Sequence, residues 1–201
     1  MTDVRLVTVF EEARTLGFLG PGPVTDHIDH AAGFLGCLAG VTGRVVDLGS
    51  GGGAPALVIA MARPDLEVLM VEASAKRCRF LERAKATLGL AGALVIEGRA
   101  EVVGRGPLRG SADAVVARSF GAPAVTAECA APLLKVGGRM VVSEPPESDD
   151  SRWSRPGLSL LGLQVDHRTS SSPVMQMLTQ VTRCPDRYPR RDGMPSKRPL
   201  F

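Results

Sequence analysis

The chain predicts an α/β fold: a mostly parallel sheet with helices on both faces and a short N-terminal helical cap. Three observations carry that expectation. Apolar, strand-like runs alternate with amphipathic, helix-like ones from residue 44 to residue 143. The first strand-like run breaks into a turn with three closely spaced glycines, Gly49, Gly51 and Gly53, which lets a backbone bend tightly and approach a ligand. A length of 201 residues with 44% apolar content buries the core of one domain and leaves little room for a second.

The elements follow in order. Residues 3 to 19 place Val4, Val7, Phe10, Ala13 and Leu16 on one helical face, and the segment stops at Gly17 and Gly20-Pro21. A second helix is expected from Thr25 to about Leu38, with the Thr25 hydroxyl as its N-cap. Strand 44–48, helix 55–63, strand 67–72, helix 74–88, strand 93–98, strand 112–117, helix 122–134 and strand 138–143 then alternate as a doubly covered parallel sheet requires. Beyond Glu144-Pro145-Pro146 two more strands, at about 160–168 and 173–182, flank the turn Ser170-Ser171-Ser172-Pro173 and close the sheet as an antiparallel pair. This divides the chain into a single domain over 1–182, made of a helical cap (1–40) and a cofactor-binding fold (44–182), and a segment 183–201. Prolines at 185, 189, 195 and 199 make that last segment an extended arm with no core of its own.

Composition narrows the function classes. The N-terminus, Met1-Thr2-Asp3-Val4-Arg5, interrupts its apolar residues with charges, as neither a secretory signal nor a membrane span does, so a soluble cytoplasmic protein is expected. Cys37, Cys78, Cys129 and Cys184 form no C-x-x-C pair and read as reduced, mostly buried thiols. From Arg183 to Phe201 six cations face two acids, so this stretch carries +4 of a net +3 and the remaining residues sum to −1. A nearly neutral body with a basic tail points to a polyanionic partner.

The chemistry is concentrated at strand ends. Val45-Val46-Asp47-Leu48-Gly49-Ser50-Gly51-Gly52-Gly53-Ala54 joins an apolar strand to a glycine turn, and Glu72 closes the second strand, where a carboxylate suits the two hydroxyls of a ribose. Gly49, Gly51 and Ala54 satisfy the dinucleotide fingerprint as well. Asp47, two residues before the first glycine, and the lack of room for a substrate domain favour S-adenosylmethionine instead, because the spacing resembles that of class I methyltransferases, where this acid lies near the cationic methionine end. The third strand ends in Gly98-Arg99-Ala100-Glu101; a backbone amide near Ala100 and the Glu101 carboxylate are placed either to read an adenine edge or simply to favour a helix N-terminus.

The fourth strand ends in Ala117-Arg118-Ser119-Phe120, where the methyl acceptor is expected. The Asn/Asp-Pro-Pro-aromatic motif that grips an exocyclic amine is missing there, since Pro145-Pro146 follows the fifth strand. An acceptor with a free lone pair fits better. Guanine N7 is one, and transfer to it needs in-line placement and water exclusion more than a general base. Arg118 is the candidate catalytic residue and a further cofactor contact, orienting the base or binding a phosphate or the methionine carboxylate, while Phe120 is a stacking or core aromatic. Asp26, His27, Asp29 and His30 lack partners for a metal and read as part of a capping helix near the active-site mouth.

These residues resemble the glucose-inhibited division protein B family of bacterial small-subunit ribosomal RNA methyltransferases. The resemblance rests on Gly17-Phe18-Leu19-Gly20-Pro21, Asp26-His27-Ile28-Asp29-His30, Val46 to Gly53, Ala62-Arg63-Pro64-Asp65-Leu66, Gly98 to Glu101, Val116 to Phe120, Pro132-Leu133-Leu134, Gly137-Gly138-Arg139 and Arg187 to Leu200. It implies a class I (Rossmann-like) methyltransferase that methylates guanine N7 in 16S rRNA of the small ribosomal subunit; from the residues themselves no membrane span or metal is expected, and no protein partner is evident. It also implies that Gly49 and Ala54 contact the cofactor, that Ala100 and Glu101 face its adenine, and that Arg118 is the family's arginine after the fourth strand. Asp47, Ser50, Gly51, Gly53 and Glu72 complete the expected cofactor set. Arg187, Tyr188, Arg190, Arg191, Lys197 and Arg198 are the expected RNA contacts, on charge pattern and resemblance together. The chain departs from the family where Ser143-Glu144-Pro145-Pro146 replaces a usual Lys-Gly and where the N-terminal helical region is shortened. A small-molecule methyltransferase and a non-catalytic nucleoside- or RNA-binding relative therefore stand as alternatives.

Overall fold

The computed structural model describes residues 3–201, so Met1 and Thr2, where the helical cap was expected to begin, lie outside it. The strands are β1 (Arg44–Leu48), β2 (Glu67–Glu72), β3 (Ala93–Glu97), β4 (Ala112–Ala117), β5 (Leu134–Ser143), β6 (Leu163–Arg168) and β7 (Met175–Gln180). The helices are α1 (Val4–Thr15), α2 (Val24–Cys37), α3 (Ala56–Ala62), α4 (Ala75–Leu88), α5 (Ala100–Val103), α6 (Pro123–Ala130), α7 (Arg155–Ser159) and α8 (Met194–Lys197). One seven-stranded sheet runs β3-β2-β1-β4-β5-β7-β6, parallel through β5 and antiparallel at β7 and β6. Strand order reverses between β1 and β4, and a crevice opens there beyond the carboxyl ends of the strands.

The strands are buried on both faces, which is why they read as near-continuous apolar runs. Val45, Val68, Met70, Ala114 and Val116 pack with α1 to α4 on one side. Their alternates Val46, Leu48, Leu69, Val71, Val115 and Ala117 pack on the other with α6, Trp153, Leu158 and Leu161. No helix among the described residues is long and apolar enough to cross a membrane. All four cysteines are free and buried.

The helix expected over 122–134 ends at Ala130 and the strand expected from about 160 begins at Leu163, and two further boundaries differ for local reasons. The N-cap of α2 is Pro23, whose extended backbone (φ −62°, ψ 142°) delivers the chain, and Thr25 lies inside the helix with its hydroxyl turned to Asp26. Strand β5 begins at Leu134, four residues early, because a register shift between Ala112 and Ala114 absorbs the Gly137-Gly138 pair. Only glycine fits at 138, where a Cβ would lie 2.9 Å from the Lys135 carbonyl and 3.1 Å from that of Ala112.

The larger correction concerns residues 183–201, which do not stand off as an extended arm. Cys184 and Tyr188 are buried in the second core, Leu200 and Phe201 pack against it, and α8 forms a short helical turn. Prolines do prevent a ladder, so the backbone carbonyls need other donors, and arginines of the domain supply them. Arg109 donates to the carbonyls of Tyr188 (2.7 Å), Cys184 (2.9 Å) and Pro185 (3.0 Å), and Arg105 to that of Pro189 (3.0 Å). Arg190 closes a bidentate pair with Glu128 at 2.8 and 2.6 Å, and its own amide donates to the same carboxylate at 2.8 Å. The Glu128 side chain is fully buried.

Removing Arg190 should therefore expose the cost of that burial. Arg190→Ala is expected to lower unfolding stability by about 3 kcal/mol, because it leaves a buried carboxylate without its cation. Pairing it with Glu128→Leu should recover most of the loss. Urea denaturation of the single and double variants reads both effects, and an unchanged midpoint in the single variant would show the pair to be energetically neutral.

Candidate functional site

The crevice beyond the strand ends holds adjoining pockets that share Ser119. The first, about 280 Å³, lies over β2 and β3 and is lined by Gly49, Glu72, Ala100, Glu101, Phe120 and Ser196 among others. A neighbour on the other side of Gly49 is lined by Phe18, Gly20, His27, Ser50, Gly51, Ala54 and Arg118. The third, about 400 Å³, lies beyond β4 and β5 between His30, Arg118, Phe120, Glu144, Pro146 and Arg152.

The glycine turn is the shared wall of the first two. Gly49, Gly51 and Gly53 have φ of +70°, +54° and +91°, left-handed values that side chains oppose. At Gly49 a Cβ would lie 2.8 Å from the Phe120 ring, so the missing side chain is what lets that ring rest on the turn. Glu72, almost completely buried, ties the turn to the second strand: Oε2 accepts from the Gly51 amide (3.0 Å) and Oε1 from the Ser74 amide (2.9 Å). Arg77 Nη1 also lies 3.5 Å from Oε1, so of the roughly four acceptor sites of this carboxylate it is chiefly the second one of Oε2 that remains toward the pocket Glu72 lines. Ser50 is buried and its hydroxyl donates to the Asp47 carbonyl at 3.2 Å.

Asp47 and Gly53 sit behind these walls and line none of the pockets described. Gly53 is turned into the core, where a Cβ would meet Leu57 at 2.3 Å. Asp47 is 1% exposed and its Oδ2 has no hydrogen-bond partner among the described residues. Burial pushes its carboxyl up to about 7, the Glu72 carboxylate adds to the rise, and the Ser50 hydroxyl and the Arg118 guanidinium oppose it. A buried carboxylate oxygen with no donor suits a ligand that brings a cationic or N–H group, as the methionine end of S-adenosylmethionine does.

Arg118 is held from α2, a contact the sequence did not reveal. Its Nη2 donates to His27 Nδ1 at 2.6 Å, which leaves His27 Nε2 to donate to the Gly20 carbonyl at 3.1 Å. The pair thus joins the end of β4 to the loop that closes over the glycine turn. Burial lowers the pKa of Arg118. His30, also on α2, is driven down to about 4 by burial and then by the nearby Arg118 charge, so it is uncharged at neutral pH. Ser119 carries φ +54°, an uncommon conformation for a residue with a side chain, and marks a strained turn where the pockets meet. Among the described residues no group of three or more His, Cys, Asp or Glu is placed to hold a metal ion.

At the acceptor side, Glu144 is engaged on both oxygens. Oε1 accepts from the Trp153 indole at 3.2 Å and Oε2 is paired with Arg152. Glu101 likewise has a partner, the Gly193 amide at 3.0 Å, so the C-terminal segment reaches the site itself. Of the cations expected to meet RNA, Arg187, Arg191, Lys197 and Arg198 are exposed and have no salt-bridge partner among the described residues. Arg190 is committed to Glu128. Tyr188 is 6% exposed beneath Arg187, whose guanidinium lies 5.0 Å from its ring centre, so it offers no free stacking face. Phe18, Arg77 and Ser196 also line the site and were not singled out by sequence; each lies in a segment whose pattern signals only a turn, a charged helix face or a proline-rich tail.

Comparison with known proteins adds the following. A family model described as rRNA small subunit methyltransferase G (GidB) matches residues 24–150. A ribosomal RNA small subunit methyltransferase G of Leuconostoc mesenteroides is 34% identical over 164 residues, 78% of this chain and 69% of the relative. One of Rubrobacter xylanophilus is 32% identical over 212 aligned positions, covering 97% of this chain and 80% of the relative. Among solved structures, a SAM-dependent O-methyltransferase of Thermotoga maritima superposes with a TM-score of 0.60 at 18% identity, over 88% of this chain and 72% of that one. At that identity the likeness speaks for the fold alone, the class I methyltransferase architecture.

The burial of Asp47 makes a pH prediction. In the free protein its carboxyl keeps a proton up to about pH 7, whereas in the unfolded chain it ionises near 3.8, so stability falls as pH rises through this window. Asp47→Asn should remove that fall. A ligand cation seated on the carboxylate displaces the proton, so affinity for S-adenosylhomocysteine should rise by up to about tenfold per pH unit below 7 and level off above it. Calorimetry at pH 5.5 to 8.5 checks this, and a flat wild-type profile would show that Asp47 does not meet the ligand's charge.

Proposed function

Because the chain belongs to the rRNA small subunit methyltransferase G (GidB) family, we propose that it uses S-adenosylmethionine to methylate N7 of a guanine in 16S rRNA. The small ribosomal subunit or its RNA is then the partner, and the cytoplasm the place of action. One observation carries the choice of acceptor. The pocket beyond β4 opens on the cofactor crevice at Ser119-Phe120 and offers no free carboxylate among its described residues: Glu144 is engaged on both oxygens, and His30, held down to about 4, is a weak proton acceptor. Such a pocket cannot readily remove a proton from an exocyclic amine. N7 has none to remove.

The cofactor supplies an electrophilic methyl group on a sulfonium centre. The chain's own residues do the rest. Asp47, buried behind the turn with one oxygen unpartnered among the described residues, supplies the negative charge toward which the cationic end is drawn, and the Gly49-to-Ala54 turn brings backbone close to the ligand. Glu72 keeps the turn in place while presenting its remaining acceptor sites to the ribose. Phe120, lying on Gly49, separates the two pockets and is placed to support a stacked base. Arg118, steadied by His27, presents its guanidinium to the guanine's O6 carbonyl or to a phosphate and restricts its pose, which is the larger part of catalysis when no base is required.

Glu144 bears on the small-molecule alternative. An acidic residue after β5 would repel RNA if its charge were free. Its pairing with Arg152 and Trp153 removes that objection and leaves Arg118 as a rim cation with no paired acid among the described residues. The exposed Arg187, Arg191, Lys197 and Arg198 extend the positive surface along the C-terminal segment.

Incubation with undermethylated small subunits and labelled S-adenosylmethionine, followed by nucleoside analysis, should yield 7-methylguanosine. Label on another nucleoside, or none, would reject the proposal. Arg118→Ala should reduce turnover by about a hundredfold while S-adenosylhomocysteine affinity changes far less. Near-wild-type turnover would make Arg118 a purely structural partner of His27. Replacing Arg187, Arg191, Lys197 and Arg198 by Gln should weaken RNA binding and flatten its salt dependence by about 0.7 in slope per lost contact on single-stranded RNA. An unchanged slope would remove the segment from the RNA interface.

A further inference from the structure

The C-terminal segment is anchored from behind and reaches the cofactor crevice from the front. Its anchors are the buried Arg190–Glu128 pair and the carbonyls held by Arg105 and Arg109. Beyond them the chain turns at Gly193, whose φ of +71° lets its amide face Glu101 and donate to Oε1 at 3.0 Å. Asp192 pairs with Arg99 at 2.5 Å, and Arg99 lies 3.8 Å from the other Glu101 oxygen. Arg99, Glu101 and the exposed Ser196 all line the 280 Å³ pocket beside Glu72. The tail thus fixes the carboxylate on one side of this pocket and adds a hydroxyl of its own to the rim.

We propose that residues 192–196 form the outer wall of the adenosine end of the cofactor pocket, with Ser196 facing the ligand and the Gly193 amide setting the Glu101 carboxylate. The inference rests on the reading of this crevice as an S-adenosylmethionine site. Three physical points lead to it. The wall is on the Glu72 side of Gly49, the ribose-and-base end, and away from Asp47 and Arg118, which serve the charged end. One Glu101 oxygen is spent on Gly193 and the other faces Arg99, so the carboxylate cannot swing toward a ligand freely; its place is dictated by the tail. Ser196 is the tail's polar side chain at the rim, and its hydroxyl can both donate and accept.

The test is affinity by calorimetry for S-adenosylhomocysteine and for adenosine, in the wild type and in Ser196→Trp and Asp47→Asn. Ser196 is exposed, so its replacement should leave the melting temperature unchanged. The tryptophan variant should lose about tenfold or more for both ligands, whereas Asp47→Asn should weaken S-adenosylhomocysteine and spare adenosine. Since every native cysteine is buried, Ser196→Cys can be labelled with an environment-sensitive fluorophore, whose emission should shift with adenosine and not with methionine. Unaltered ligand affinities in Ser196→Trp, or emission that ignores adenosine, would overturn the proposed wall. A wild type that binds neither ligand would instead overturn the cofactor reading on which it stands.

Discussion

The site depends on one short piece of left-handed backbone, the turn after β1, and on the buried carboxylate that pins it. Three positive φ values within five residues are unfavourable for any ordinary sequence, and glycine only makes them permissible. Glu72 makes them specific by accepting from the Gly51 and Ser74 amides and so joining the ends of β1 and β2 through hydrogen bonds to a charged acceptor, which are stronger than neutral ones. Phe120 can rest on Gly49 only because the turn is held there, and the Phe18 carbonyl can lie 2.8 Å from where a Gly52 Cβ would be for the same reason. The pockets on either side of the turn are consequences of its shape.

Around this turn the chain uses arginines where regular structure runs out. Arg118 bonds to α2 through His27, Arg63 donates to the Val41 carbonyl (2.8 Å) to hold the link into β1, and Arg109 gathers carbonyls of the proline-rich tail. A guanidinium offers five donors in a rigid plane, so one side chain can satisfy several carbonyls that no strand or helix reaches. Much of the basic residue count is therefore structural. A positive charge in the sequence is an ambiguous sign, as Arg190 and Arg191 show: neighbours in the chain, one locked onto Glu128 and one open to solvent.

That ambiguity explains which parts were legible. The alternation of strands and helices, the antiparallel closing pair and the glycine turn are encoded by short-range periodicity and by residues that permit a particular backbone, so they were read from sequence to within a few residues. Most expected cofactor residues do gather at the crevice for the same reason, since the fold brings strand ends together. The roles of Asp47 and Gly53 behind the pocket wall, the His27–Arg118 contact and the strained Ser119 depend on long-range packing, for which a sequence carries no periodic signal. The tail was misread because proline density predicts the absence of a ladder correctly but says nothing about donors supplied by distant residues such as Arg105 and Arg109.

On the proposed reading, Asp47 gives a reason for a site to be built with an unsatisfied group. A buried carboxylate oxygen without a partner among the described residues is costly to the fold, and the raised pKa is the form that cost takes. Covering it with a resident cation such as a lysine would stabilise the fold and also occupy the position a cationic ligand needs. Arg118 comes near enough to lower the cost electrostatically, yet its hydrogen bonds go to His27, so the Asp47 oxygen stays open. A ligand bearing the matching charge then stabilises the folded state by more than its contact area implies, because binding also relieves a penalty already present. On the proposed reading, discrimination follows from the same arrangement: a neutral adenosine compound would leave the Asp47 charge unanswered, whereas an amino-acid-bearing one would answer it.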